Sequence, residues 1–378
     1  MSGLASLESL LAEAAQEGVF AGAVARVGIG AELLWEAAAG RASLVPEIRP
    51  LTLGTLFDVA SVTKVAATAS AACLLAGRGD LELDDPVGRY LEDWQADKSS
   101  VTIRHLLSHT SGLPGWKAYG RMWLEEHRLE GHAARPSEAS REWMLKSVIE
   151  DDLFFPPGSS FLYSDPGFIV LWEALERVAG EPLGEFLARE LFGPLGMEKT
   201  FFAELTTPRS RPDHEGDVAP TEDCPIRGRM LLGEVHDLNA WALGGVSGHA
   251  GLFSSAGDLH KLGAAWLAAI NGETKGPLEP SSAVEFFRLQ RPELESPFAL
   301  GWDSPRAEGS LAGKLLGPEA RGHWGYTGCS LWVEPVRGLI VVLLTNRVHP
   351  NDTPPDAMKA FRPAFHDAVV AAVEKALR

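Results

Sequence analysis

From residue 61 to residue 77 the chain offers no polar face. Val65, Ala66, Ala67, Ala69, Ala71, Ala72, Leu74 and Leu75 are spread around the helical circumference, proline is absent, and Gly77-Arg78-Gly79 supplies the stop. Such a helix must be enclosed on all sides, so the rest of the chain has to build a core around it. Asp58-Val59-Ala60-Ser61-Val62-Thr63-Lys64 leads into this helix. A serine and a lysine three apart share a face, and the unbonded N–H groups of the first turn point past the serine oxygen. The pair offers a nucleophile, a proton acceptor and part of an oxyanion hole, provided burial lowers the lysine below its ordinary pKa of roughly 10.4. Taken alone, a serine N-cap followed by a snorkelling lysine explains the same residues. Ser61–Lys64 is, however, the only S-x-x-K in the chain, and it opens the most apolar helix.

With 378 residues the chain exceeds one small core and suggests one large domain or two. The net charge of −17, with lysine and arginine nowhere clustered, argues against nucleic acid or an anionic membrane as a partner. Glu8, Glu13 and Glu17 precede the first positive residue, Arg26, the wrong charge order for a secretory signal, so a cytoplasmic protein is expected. No run reaches the length of a membrane span, the longest being 65–77 and 339–344. Three widely spaced cysteines do not make a disulfide framework.

Leu4, Leu7, Leu10, Leu11 and Ala14 recur at helical spacing and predict a helix over 2–16. Strands follow at 21–29, 33–39 and 55–59. From 81 to about 230 helix and loop dominate. An N-cap at Asp84-Asp85 with Pro86 in the first turn starts a short helix, and another over 102–114 is closed by glycine and proline. Further helices are expected at 142–149, 166–179 and 183–191, with a polar surface excursion at 206–222. Helices near 236–243, 257–270 and 282–289 precede three successive strands at 322–327, 330–334 and 339–345, and a closing helix covers 355–377. Strands at both ends with helices between imply an α+β architecture: an antiparallel sheet flanked by helices, built from 1–80 and 231–378, with a mostly helical insertion at 81–230 and the active site at their interface.

Tyr163-Ser164-Asp165 follows a Pro-Pro-Gly turn. Asp165 reads as an N-cap before Pro166. Tyr163 is freer: a phenol near a lysine ammonium has its pKa lowered and can accept the nucleophile's proton. In His323-Trp324-Gly325 the glycine marks either a bulge or a close backbone approach, and the N–H of Tyr326 just beyond could join that of Ser61 in an oxyanion hole. His249 sits among glycines that permit close approach, either lining the cleft or packing behind it. His236-Asp237 are adjacent and point apart, with Asp237 an N-cap. His105 and His109 are four apart but lack the glutamate of a zinc-protease motif, so no metal is assigned.

Together, S-x-x-K at Ser61–Lys64, the Y-x-N-like Tyr163–Asp165 and the H-x-G of His323–Gly325 resemble the serine β-lactamase and penicillin-recognising enzyme superfamily. The likeness is to its class C-like branch of β-lactamases, D,D-peptidases and esterases, and it extends over nearly the whole chain. It implies attack by Ser61, proton transfer shared by Lys64 and Tyr163, an oxyanion held by the N–H groups of Ser61 and Tyr326, hydrolysis of an acyl-enzyme, and no cofactor. Asp165, His323, Trp324, Gly325 and His249 would meet a small-molecule ester, amide or β-lactam. Two departures matter. Asp165 replaces the usual asparagine and favours a charged Lys64, which shifts proton transfer toward Tyr163. His323 replaces the lysine of β-lactamases and removes a fixed cation for a substrate carboxylate, which points to esters or amides that need none. A non-catalytic protein that accepts an acyl group and releases it slowly is the alternative of another class.

Overall fold

The computed structural model describes residues 2–206, 217–352 and 355–376. A six-stranded antiparallel sheet forms from the two ends of the chain: β1 (Gly22–Ile29), β2 (Glu32–Ser43) and β3 (Arg49–Pro50) from the first, and β9 (Arg321–Trp324), β10 (Ser330–Glu334) and β11 (Leu339–Thr345) from the last. Their order is β3-β2-β1-β11-β10-β9, so β1 and β11 close the two ends against each other, with Ala25 opposite Leu343. Alternation along these strands separates two cores. Ala23, Ala25, Val27, Val341 and Leu343 face α1 (Ser2–Gln16) and α11 (Asp356–Ala376), while Val24, Val342 and Leu344 face the large core on the other side.

That large core encloses the apolar helix, which is less regular than expected. A 3-10 turn at Ala60–Val62 and a π-helical segment at Lys64–Ala69 precede α2 (Ser70–Arg78), whose C-cap Gly79 is left-handed. The whole stretch Ala60–Arg78 is long and apolar enough to cross a membrane by length and composition, contrary to the reading from sequence, but 83% of it is buried inside the protein. Around it lie α3 (Ile103–Leu107), α4 (Tyr119–Glu126), α5 (Glu138–Ile149), α6 (Asp165–Ala179), α7 (Leu183–Leu187), α8 (Leu238–Ala242), α9 (Ala256–Ile270) and α10 (Pro280–Phe287). A small sheet ties the pieces together. β4 (Phe57–Asp58) pairs not with the main sheet but with β8 (Leu252–Ser254), which also pairs with β5 (Phe201–Phe202); β6 (Asp223–Cys224) and β7 (Arg229–Met230) form a separate hairpin.

Three sequence expectations change in ways that bear on the site. The helix expected over 102–114 ends at Leu107, because His109 takes the left-handed conformation (φ +57°) and turns the chain out of the helix. The segment after Pro86 is a single 3-10 turn, with Pro86 itself extended in the capping position. Of the polar stretch 206–222, residues 207–216 lie outside the described residues, but Val218, Ala219 and Thr221 are buried rather than looped outward. The Ala219 N–H donates to the Leu56 carbonyl, docking this segment beside β4.

Candidate active site

Ser61 is presented by a strained turn. Ala60 adopts φ +47°, a conformation that costs a non-glycine residue about 1–3 kcal/mol and persists only where its surroundings enforce it. Here the buried Asp58 enforces it: one carboxylate oxygen accepts the Ala60 N–H (2.8 Å) and the other the His236 N–H (2.7 Å). Burial raises the Asp58 pKa against these two bonds. Thr327 Oγ1 donates to the Asp58 carbonyl at 2.8 Å, joining the turn to the far end of the chain.

Lys64 is fully buried, and its ammonium donates in three directions: to Ser61 Oγ (3.0 Å), to Asp165 Oδ1 (2.7 Å) and to the His249 carbonyl (3.0 Å). Burial alone would drive its pKa down. The Asp165 carboxylate and Tyr163 together outweigh burial, and the pKa lies above the ordinary lysine value. Asp165 can do this because it is not the cap of α6. Ser164 is, accepting the Gly167 N–H at 3.0 Å, so Asp165 occupies the first helical position with its carboxylate turned to Lys64.

Tyr163 packs against His109 (ring centroids 4.6 Å apart) and Trp324 (6.3 Å, stacked), with Lys64 Nζ 4.9 Å from its ring centre. Burial pushes its phenol up to about 12, more than Lys64 and Ser61 pull it down. The expected lowering is therefore reversed: the ammonium acts in the anticipated direction, but desolvation of the phenolate is the larger effect.

Beyond β9 the chain presses directly onto the Ser61 turn. A Cβ on Gly325 would sit 2.4 Å from the Val59 carbonyl oxygen, so only glycine permits this approach. Arg362 of α11, itself buried, donates to the carbonyls of Gly325 and Gly328 and so braces the loop that carries Tyr326. His323 lies behind the cavity wall rather than on it. It is fully buried, its Nδ1 hydrogen-bonds the Trp324 carbonyl (2.8 Å), its ring is 5.9 Å from that of Tyr163, and burial takes its pKa down to about 3. A direct substrate contact from this imidazole does not fit that position.

The cavity of about 620 Å³ in front of Ser61 is lined by Tyr163, Asp165, His249, Trp324 and Tyr326 among others. His249 shows only its edge, being 1% exposed. Its ring bonds Ser247 Oγ (2.8 Å) and Asp237 (2.9 Å), while its carbonyl receives Lys64. Burial would raise the Asp237 pKa, but the His249 imidazole, with the Ala240 N–H and His236, outweighs it and holds the carboxyl well below its usual range. Asp237 is also the cap of α8, as the sequence indicated, but its imidazole partner is His249, twelve residues away and invisible to local spacing. Asp58 and Ala60 were likewise missed as site-shaping residues. An alanine gives no signal of a left-handed turn, and only the aspartate two residues before it hinted at one. His105 and His109 do not converge: the first bonds the Thr102 N–H, and the second accepts the Ser164 N–H at 3.0 Å beneath Tyr163.

Residues 7–362 match the family described as Beta-lactamase. A protein of Escherichia coli (strain K12) named "Putative D-alanyl-D-alanine carboxypeptidase" is 32% identical over 324 residues, covering 79% of this chain and 70% of the relative. Among solved structures, "EstCE1, a hydrolase with promiscuous acyltransferase activity" superposes with a TM-score of 0.74 at 25% identity, over 98% of this chain and 99% of that one. The octameric penicillin-binding protein homologue of Pyrococcus abyssi shares the fold with a TM-score of 0.70 at 22% identity, over 94% and 76%. With an S-x-x-K serine held beside a buried lysine in a fold common to all of these, the chain belongs to the beta-lactamase family and is a serine hydrolase.

Proposed function

We propose that Ser61 attacks the carbonyl of an ester or amide, that an acyl-enzyme forms on its Oγ, and that water releases the acid. The observation that carries this reading is the arrangement of donors on Lys64. Its Nζ lies within hydrogen-bonding distance of Ser61 Oγ, Asp165 and the His249 carbonyl, and with Asp165 and Tyr163 holding its pKa above the ordinary value against burial it is an ammonium, which has no lone pair to receive a proton. Lys64 therefore acts as a fixed ammonium that orients Ser61 and offsets charge developing at the reacting centre. Tyr163 is the proton bridge. Its oxygen takes the Ser61 proton while its own hydroxyl proton passes to the leaving oxygen or nitrogen, and a neutral phenol with a pKa near 12 suits a relay that never forms a free phenolate. The N–H groups of Ser61 and Tyr326 receive the oxyanion, with Gly325 and Arg362 fixing the second of them.

The substrate class follows from the missing cation. Burial keeps His323 neutral at physiological pH, and Arg227, the one arginine among the described lining residues, is committed to Glu234 (2.9 Å) and to the carbonyls of Val235 and His236. The cavity thus favours an ester or D-amino-acid amide over a β-lactam that relies on its carboxylate. Kinetics on p-nitrophenyl esters, D-amino-acid amides and nitrocefin test this. Ester or amide turnover is expected to dominate, to vanish in Ser61→Ala and to fall about 10²–10⁴-fold in Tyr163→Phe. Nitrocefin as the best substrate would overturn the assignment.

A further inference from the structure

The two N–H groups assigned to the oxyanion come from opposite ends of the chain, and one buried residue bonds to the segments that carry both. Asp58 ends β4, is 2% exposed and stands behind the cavity lining rather than on it, so it meets no substrate. Its carboxylate is divided between two backbone donors: the Ala60 N–H (2.8 Å), immediately before Ser61, and the His236 N–H (2.7 Å), where the cavity wall 236–238 begins. Its carbonyl accepts Thr327 Oγ1 (2.8 Å), immediately after Tyr326. The Tyr326 ring in turn stacks on that of His236 at 5.7 Å, so Tyr326 adjoins two of the three groups tied to Asp58.

The chemistry of the two carboxylate bonds selects an aspartate here. Two N–H groups that converge on one side chain need two acceptors; an asparagine offers one, and its NH2 would oppose the other donor. The same two bonds offset part of the cost of burying a carboxylate. What the first of them secures is the turn at Ala60, whose φ of +47° an alanine leaves once nothing enforces it. Thr63 Oγ1 pins the Ala60 carbonyl (2.5 Å) and Asp58 pins the N–H, so the two bonds fix residue 60 across its φ torsion. Ser61 follows directly. A relaxation of Ala60 toward negative φ rotates the Ser61 N–H and Oγ together, away from Lys64 and from the Tyr326 N–H.

We propose that Asp58 is the positioning residue that assembles the oxyanion hole: its carboxylate holds Ala60 left-handed so that the Ser61 N–H faces the cavity, and its carbonyl, through Thr327, sets the Tyr326 N–H beside it. This rests on the Ser61 reading. Two measurements on the same variants test it: kcat/KM on p-nitrophenyl acetate, and calorimetric affinity for phenylboronic acid, whose boron takes the Ser61 oxygen and sets a B–O oxygen where the oxyanion stands without any turnover. Asp58→Asn is expected to lose about 10²–10³-fold in kcat/KM, the size of a displaced oxyanion donor, and to bind the boronic acid more weakly in parallel. Adding Ala60→Gly to Asp58→Asn should recover about 10-fold, because glycine takes a positive φ without being held there. Thr327→Val should lose about 10-fold, the worth of one buried hydrogen bond, and Ala60→Gly should not restore it, since the fault then lies in the Tyr326 half. Wild-type kinetics and boronate affinity in Asp58→Asn overturn the proposal. So does a loss that Ala60→Gly leaves untouched, which would make Asp58 a source of charge or of plain stability rather than of turn geometry. If Asp58→Asn does not fold, Thr327→Val decides, and boronate affinity unchanged in that variant overturns the proposal. Wild-type protein that binds the boronic acid at Ser61 but turns over no ester would overturn only the hydrolytic reading.

Discussion

Replacing Asp165 by asparagine separates the two roles open to Lys64. At 2.7 Å and an effective dielectric of about 20, the Coulomb attraction between the carboxylate and the ammonium is about 6 kcal/mol. This attraction, with a smaller one from Tyr163, outweighs burial and keeps a fully buried lysine charged. In Asp165→Asn burial is opposed only by Tyr163, and an ammonium without its carboxylate there would cost about 3–5 kcal/mol, so the amine sheds its proton. If Lys64 works as a fixed ammonium, the variant loses about 10²–10³-fold in kcat/KM at pH 8, comparable to removing one preorganised donor from an oxyanion hole. Activity should then recover as the pH is lowered and Lys64 recharges, a limb absent from the wild type. The assay is the pH dependence of p-nitrophenyl acetate hydrolysis by both proteins. A variant as active as the wild type, or one whose rate rises with pH as the free amine accumulates, would show that Lys64 is the base and refute the relay through Tyr163.

Gly325→Ala places a methyl carbon 2.4 Å from the Val59 oxygen and must push the β9 end away from the Ser61 turn. A displacement of about 1 Å costs on the order of 10²-fold in rate, so kcat should drop far more than thermal stability, read by kinetics and calorimetry on the same sample. Stability should also fall steeply below neutrality. His323 is held down to about 3, and His260 and His366 to about 4, chiefly by burial. Their folded pKa values lie below the unfolded value near 6.5, so the unfolded chain binds more protons in that window, and stability complete above pH 6.5 is lost as pH falls toward 3–4. By pH 5 each group has withdrawn about 2 kcal/mol, together a large share of a typical domain's 5–15 kcal/mol. A urea midpoint unchanged between pH 7 and pH 5 would contradict this.

The apolar helix, the terminal strands and the three short motifs were legible because each rests on local pattern: residue spacing on a helix, alternation on a strand, glycine where backbones meet. The π-helical register after Ser61 and the left-handed Ala60 and His109 were not legible, since neither residue type favours positive φ as glycine does and the Asp58 bond that holds Ala60 exists only in the folded turn. The reversal at Tyr163 has the same origin. Its neighbours were correctly placed from sequence, but the desolvation that outweighs them depends on how completely His109, Phe298 and Trp324 cover the ring. The Asp237–His249 pair joins two loops whose separation in sequence carries no periodic signal.

The account stands most directly on the bond formed at Ser61. Intact-mass spectrometry and peptide mapping after mixing with p-nitrophenyl acetate should show one acetyl group on the peptide containing Ser61, decaying at the rate of steady-state turnover and absent in Ser61→Ala. An adduct on another residue, or full hydrolysis by Ser61→Ala, would contradict it.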